Sequence, residues 1–227
     1  MGLRILCMGA HPDDVELGMG GTVASLVRRK HEVLILDLTN GEPTPHGSPE
    51  IRARESKAAA EALGAPRKTL DMPNRYLEET IENRKKLAAE IRAFRPDYLF
   101  SPYPVDAHPD HIAAGQLAES SRFYAKLTKS DIPGEPHFPR RVIYYFPVHI
   151  RLRIEPSFVF DMSDTLEQKR KAILNYESQF KAGKKEHIID SVLNENRYWG
   201  FQAGVEAAEP FFQREITLFR QWPEGYH

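Results

Sequence analysis

Two short clusters carry the residue types that bind metals and move protons: Ala10-His11-Pro12-Asp13-Asp14 and, far along the chain, His108-Pro109-Asp110-His111. Imidazole nitrogens with carboxylate oxygens, and no thiolate nearby, suit zinc in a catalytic role. A set of two histidines and one carboxylate suits iron(II) equally, so Zn2+ is the first expectation and Fe2+ the second. His11, Asp14 and one of the two later histidines make three ligands, which leaves coordination positions open. Each cluster alone has a plainer reading. An Asp-Asp pair after a strand is usually a turn or helix cap. His-x-x-His at helical spacing is often a solvated pair, and Asp110 could simply cap the helix that follows. Their joint position argues otherwise, because each cluster directly follows a predicted strand.

Those strands belong to an alternating pattern. Leu3–Met8 and Val33–Leu38 are apolar runs of strand length, with Asp97–Ser101 a third. Helical periods fall over Gly20–Lys30, Pro49–Leu63 (stopped by Gly64) and the stretch carrying Leu87, Ile91 and Phe94, which ends before Pro96. Further helices are predicted over His111–Leu127, Thr165–Phe180 and Asp190–Gln202, with strands at Val142–Phe146 and Ser157–Asp161. Alternation of this kind implies an α/β fold, a mostly parallel, doubly wound, Rossmann-like sheet with right-handed crossovers. In such sheets ligands bind outside the carboxyl ends of the strands, where both clusters would lie. Residues 1–227 read as one domain, with the tail from Asp190 as a C-terminal excursion over the sheet. Gly18, Gly20 and Gly21 do not form a dinucleotide fingerprint directly after the strand, and are read instead as close-packing positions in the first helix.

Composition narrows the class. The chain has 227 residues, 41% hydrophobic and 28% charged, with a formal charge of −1. Near-neutral charge makes nucleic acid or an anionic membrane a poor partner. No apolar run approaches a membrane span, and no secretory signal is visible. The single cysteine, Cys7, allows no internal disulfide and fits a reducing compartment. A cytoplasmic location is expected.

The chain resembles the PIG-L/LmbE family of zinc-dependent N-deacetylases. AHPDD after the first strand and HPDH after a later one match, as does Arg52-x-x-Glu55-x-x-x-Ala59-x-x-x-Leu63-Gly64. Pro156-Ser157-Phe158-Val159, Tyr176-x-Ser178-Gln179-Phe180, Arg197-Tyr198-Trp199-Gly200 and Glu209-Pro210-Phe211 are similar to the bacillithiol-biosynthesis branch, which deacetylates N-acetylglucosamine joined to malate. The resemblance implies metal ligands His11, Asp14 and His111, and Asp13 as general base. His108 would polarise or protonate the reacting centre, oriented by Asp110. Arg52 would contact substrate, and Tyr198 matches a site-associated position in that branch. The partner implied is a small amino-sugar, and relatives often assemble as trimers or hexamers. Arg54 is expected to face solvent. Arg151 and Arg153, within Val148–Glu155, read first as charges on an edge strand and second as contacts to an acidic aglycone. Rival readings are a metallophosphoesterase, which would hold two metals, and a non-catalytic binding module.

Overall fold

The computed structural model describes residues 2–146, 149 and 155–217. Seven strands form one sheet: β1 (Arg4–Gly9), β2 (Glu32–Asp37), β3 (Arg67–Thr69), β4 (Tyr98–Pro102), β5 (Arg141–Tyr145), β6 (Phe158–Asp161) and β7 (Ala208–Phe212). Their order is β3-β2-β1-β4-β5-β7-β6. The first five run parallel, and β7 lies antiparallel to both β5 and β6. Strand order therefore reverses between β1 and β4, which makes the crevice beyond their carboxyl ends the topological switch point.

Six α-helices cover the sheet: α1 (Asp14–Arg28), α2 (Pro49–Leu63), α3 (Ile81–Phe94), α4 (Pro109–Ala125), α5 (Leu166–Leu174) and α6 (Glu186–Ala203). Side chains alternate along each strand, so one strand feeds two cores. Ile5 and Cys7 of β1 pack with residues of α1, α2, α5 and α6, while Leu6 and Met8 face those of α3 and α4. Helix ends follow local chemistry. Ser48 caps α2 by accepting from the Ile51 N–H, Pro49 opens the first turn, and Gly64 closes it at φ 77°. Thr80 caps α3 in the same way. Among the described residues, no helix is long and apolar enough to cross a membrane.

Four elements depart from the sequence-based expectation, the plainest being β3, where no strand was expected. The first helix begins at Asp14, ahead of the predicted Gly20, and breaks at Met19 (φ −150°, ψ 22°). The amides freed by the break, those of Gly21 and Thr22, donate to the Glu209 carboxylate at 3.1 and 2.6 Å. The glycines do pack closely: a Cβ on Gly18 would stand 2.1 Å from the Tyr145 ring. Next, the helix expected over Thr165–Phe180 stops at Leu174 and gives way to turns before α6. Finally, the C-terminal excursion does more than cover the sheet, since β7 inserts between β5 and β6. The segment carrying Arg151 and Arg153 lies outside the described residues.

Candidate metal centre and active-site cleft

The two clusters meet at the switch point. β1 runs straight into His11, and Asp13 then adopts a left-handed backbone (φ 117°) as the N-cap of α1. That conformation is costly for a non-glycine residue and persists only where its surroundings enforce it. It separates two neighbouring carboxylates. Asp14 turns inward, its Oδ2 accepting from the His11 N–H at 2.9 Å and lying 3.6 Å from His11 Nδ1, its Oδ1 3.2 Å from His111 Nε2. Asp13 turns instead to the cleft and to Arg52, whose Nη1 is 3.0 Å from Asp13 Oδ2.

His11, Asp14 and His111 each offer one ligand atom, and these atoms lie within 4.8 Å of one another. All three residues are buried. His111 Nε2 is a buried polar atom with no hydrogen-bond partner among the described residues, despite the nearby Asp14 oxygen. Nitrogen and oxygen thus stand 3.2 Å apart without making a hydrogen bond. A buried unpaired nitrogen is costly, and a cation there would satisfy it. The opposite ring nitrogens are backed by carboxylates: His11 Nε2 lies 3.0 Å from Asp110, and His111 Nδ1 bonds Asp106. Such carboxylate partners orient ligating imidazoles and raise their basicity. The donor set fits a divalent metal.

A second grouping, His11, His108 and Asp110, is also close enough to hold an ion. The Asp110 carboxylate, however, already accepts from the Arg75 N–H at 2.7 Å, the Leu77 N–H at 3.3 Å and His11. The first set is therefore the better metal centre.

Asp110 was expected to orient His108. Its carboxylate turns to His11 instead, and only its backbone N–H reaches His108, donating to Nδ1 at 3.2 Å. Because Nδ1 accepts, the neutral His108 ring carries its hydrogen on Nε2. Burial, together with the nearby His11 and His111, holds the His108 pKa down to about 4. A protonated His108 is thus disfavoured at neutral pH. Burial also opposes charge on His11 and His111, yet their carboxylate partners outweigh it and raise them to about 9 and about 10. For Asp13, burial pushes the pKa up to about 6 against the pull of Arg52.

An open cleft of about 420 Å³ lies over this centre, a size suited to a small molecule. His11, Asp13, Asp14, Arg52 and His108 line it together with Gln179, Phe180, Lys185 and Ile188. Arg52 is buried and heavily committed, bonding the Pro12 carbonyl (2.8 Å), Asp13 and Glu42 (3.3 Å). Arg54 is exposed, as expected. Tyr198 is 55% exposed and does not line the cleft, because α6 turns Ile189, Val192, Leu193 and Asn196 inward and leaves Tyr198 on the far face. Sequence reasoning missed Asp106, Glu42, Asn74, Arg75 and Lys185. Only Asp106 left a usable signal, as a carboxylate shortly before a ligand histidine.

The model of the PIG-L family, described as GlcNAc-PI de-N-acetylase, matches residues 6–121, a span containing both clusters and Arg52. This chain belongs to the PIG-L family. A diacetylchitobiose deacetylase of Thermococcus kodakarensis is 34% identical over 193 residues, covering 78% of this chain and 70% of that protein. Among solved structures, a conserved protein of Thermus thermophilus superposes with a TM-score of 0.90 at 37% identity, over 98% of this chain and 100% of that one. The N,N'-diacetylchitobiose deacetylase of Pyrococcus horikoshii, solved with an inhibitor, gives a TM-score of 0.81 at 29% identity, over 92% and 82%. The PIG-L match ends within α4, so the cleft wall from Gln179 to Ile188 lies beyond it.

Proposed function

We propose that this PIG-L protein hydrolyses the acetamide of an N-acetylglucosamine-type sugar, with zinc held by His11, Asp14 and His111. The observation that carries the reading is the Asp13 carboxylate: it lines the cleft beside the metal centre, is held by Arg52, and has a pKa raised to about 6. A base of that strength takes a proton from water and can return it within one turnover at neutral pH. The diacetylchitobiose deacetylases among its relatives support an amino-sugar substrate.

Bound zinc would supply Lewis acidity, acidifying water and polarising a carbonyl. The protein's own groups then divide the work. Arg52 keeps Asp13 pointed into the cleft, and Asp13 accepts a proton as water attacks the acetamide carbon. The Nε2–H of neutral His108 donates to the oxygen on which negative charge develops. Asp13 next passes its proton to the amide nitrogen as the C–N bond breaks, leaving acetate and a glucosamine amine.

The lead substrate is N-acetylglucosamine joined to malate. With Arg52 committed to Asp13 and Glu42, the cleft's other cations, Arg75 and Lys185, take over the aglycone carboxylates. The test measures acetate release from malyl and methyl N-acetylglucosaminides, with and without chelator, alongside metal content per chain. Chelator-sensitive release with the malyl glycoside preferred is the expected result. Equal kcat/KM for the two glycosides would leave a broader sugar N-deacetylase. Two tightly held metals per chain would overturn the mononuclear site.

A further inference from the structure

Gln179 lies on the turn between α5 and α6 and lines the same cleft as Asp13. Its Nε2 donates to Thr44 Oγ1 at 3.2 Å and to Ser178 Oγ at 2.8 Å. An amide could in principle face two hydroxyls with either end, but here the hydroxyl protons are already assigned. Thr44 Oγ1 donates to both oxygens of Glu42, at 2.8 and 2.9 Å. Ser178 Oγ donates to Glu55 Oε2 at 2.7 Å. Each hydroxyl therefore has only lone pairs left for Gln179, so the NH2 group must point at them and both of its hydrogens are used. The carboxamide oxygen remains as the polar atom this side chain offers the cleft.

We infer that Gln179 is a specificity-determining residue that accepts a hydrogen bond from one hydroxyl of the bound sugar, its orientation locked through Thr44 and Ser178 by Glu42 and Glu55. The inference rests on an amino-sugar substrate. A side chain that offers only an acceptor welcomes O–H and N–H groups and disfavours carbonyl, carboxylate or phosphate oxygens at that corner. Anionic parts of a substrate must lie elsewhere, towards Arg75 and Lys185. The lock also gives the two ends of the R-x-x-E motif separate tasks. Arg52 holds Asp13, and one helical turn on, Glu55 accepts from the Ser178 N–H at 2.7 Å as well as from its hydroxyl, so that it fixes the turn bearing Gln179. Glu55 is a positioning residue.

The experiment compares the zinc-loaded wild type with Gln179→Leu and Ser178→Ala on methyl N-acetylglucosaminide and each of its singly deoxygenated analogues. Acetate release gives kcat/KM, and calorimetry gives the affinity for the corresponding glucosaminide products. Metal content and circular dichroism are recorded for every variant. Gln179→Leu should lower kcat/KM and product affinity by roughly three- to tenfold on the parent sugar. On one deoxy analogue, the one lacking the hydroxyl that Gln179 reads, the variant should match wild type. Ser178→Ala, which frees one amide hydrogen, should show a smaller loss confined to the same hydroxyl. An equal loss on every analogue, or none on any, overturns the inference while leaving the deacetylase reading intact. If wild type binds glucosaminides with this pattern yet releases no acetate, the deacetylase reading fails and Gln179 keeps its role. Failure to bind any glucosaminide overturns both.

Discussion

Adjacent aspartates take different partners here because one backbone angle sends them apart. With Asp13 in the left-handed region, its carboxylate meets Arg52 while that of Asp14 lies between His11 and His111. Asp13→Asn should thus keep its metal and lose about two to four orders of magnitude in turnover, whereas Asp14→Asn should lose the metal itself. Elemental analysis beside single-turnover kinetics separates them, and metal loss in Asp13→Asn would collapse the distinction. The histidines proposed as ligands should titrate together with the ion. In metal-free protein His11 and His111, at about 9 and about 10, each hold an extra proton at neutral pH. Metal must displace those protons, so affinity rises with pH until both imidazoles are neutral. Calorimetric zinc titration near neutral pH, in buffers of different ionisation enthalpy, should show release approaching one proton from each ring; no net release would mean neutral rings beforehand. His11, Asp13 and Asp14 were legible as candidate residue types in a motif after a strand, whereas the choice of His111 over His108, and of Asp13 as base, came only from the family resemblance. Which carboxylate backs which imidazole was not legible, because Asp110 reaches His11 from a distant part of the sequence and only folding brings them together.

Helix α1 shows how an element can be present yet hard to read. Its glycines lower helical propensity and hide the stretch before Gly20, but the packing around them demands their absent side chains. Tyr145 stands against Gly18, and its hydroxyl is fixed on the Met8 carbonyl at 3.0 Å, so the ring cannot swing away. Gly18→Ala should cost about 1–3 kcal/mol through overpacking. Gly20→Ala, whose nearest neighbour is Lys169 Cγ at 3.3 Å, should cost less. Urea denaturation of the two variants checks the order, and a stable Gly18→Ala would show that Tyr145 has room to move. The parallel strands β1, β2 and β4 were readable because both faces are buried and their sequences are continuously apolar. By contrast, β3 is three polar residues at the sheet edge, and β7 contains Pro210, a poor strand former. The proline is tolerated because β5 pairs with β7 only at Phe211 and Phe212, leaving one side of Pro210 without a ladder neighbour.

Across the whole molecule, the Glu209 carboxylate ties the C-terminal third to the first helix, beside the Thr165 hydroxyl on the Gly21 carbonyl and the Tyr176 hydroxyl on Glu16. Lys169 Nζ and Glu209 Oε1 lie 2.6 Å apart, both side chains fully buried, and Glu209 also receives the two amides at the α1 break. Glu209→Ala would strand the lysine charge and both amides, and should cost about 3–5 kcal/mol. The Lys169→Met/Glu209→Gln double variant removes the charge as well and should cost less. Unfolding free energies decide, and a loss below about 1 kcal/mol for Glu209→Ala would mean that the cluster is hydrated. The α/β layout was visible in the sequence, whereas this tie, which joins α1, α5 and β7, was not. The lining of the cleft comes from two stretches of chain. Every group proposed to bind the metal or move a proton lies between His11 and His111, whereas Gln179, Phe180, Lys185 and Ile188 come from beyond the PIG-L match. On the proposed reading, reactivity is written on the first stretch alone, while the taste for a particular sugar is shared between Arg75 and the second. Descendants of such a protein can explore new substrates by rewriting the second stretch while inheriting the first unchanged.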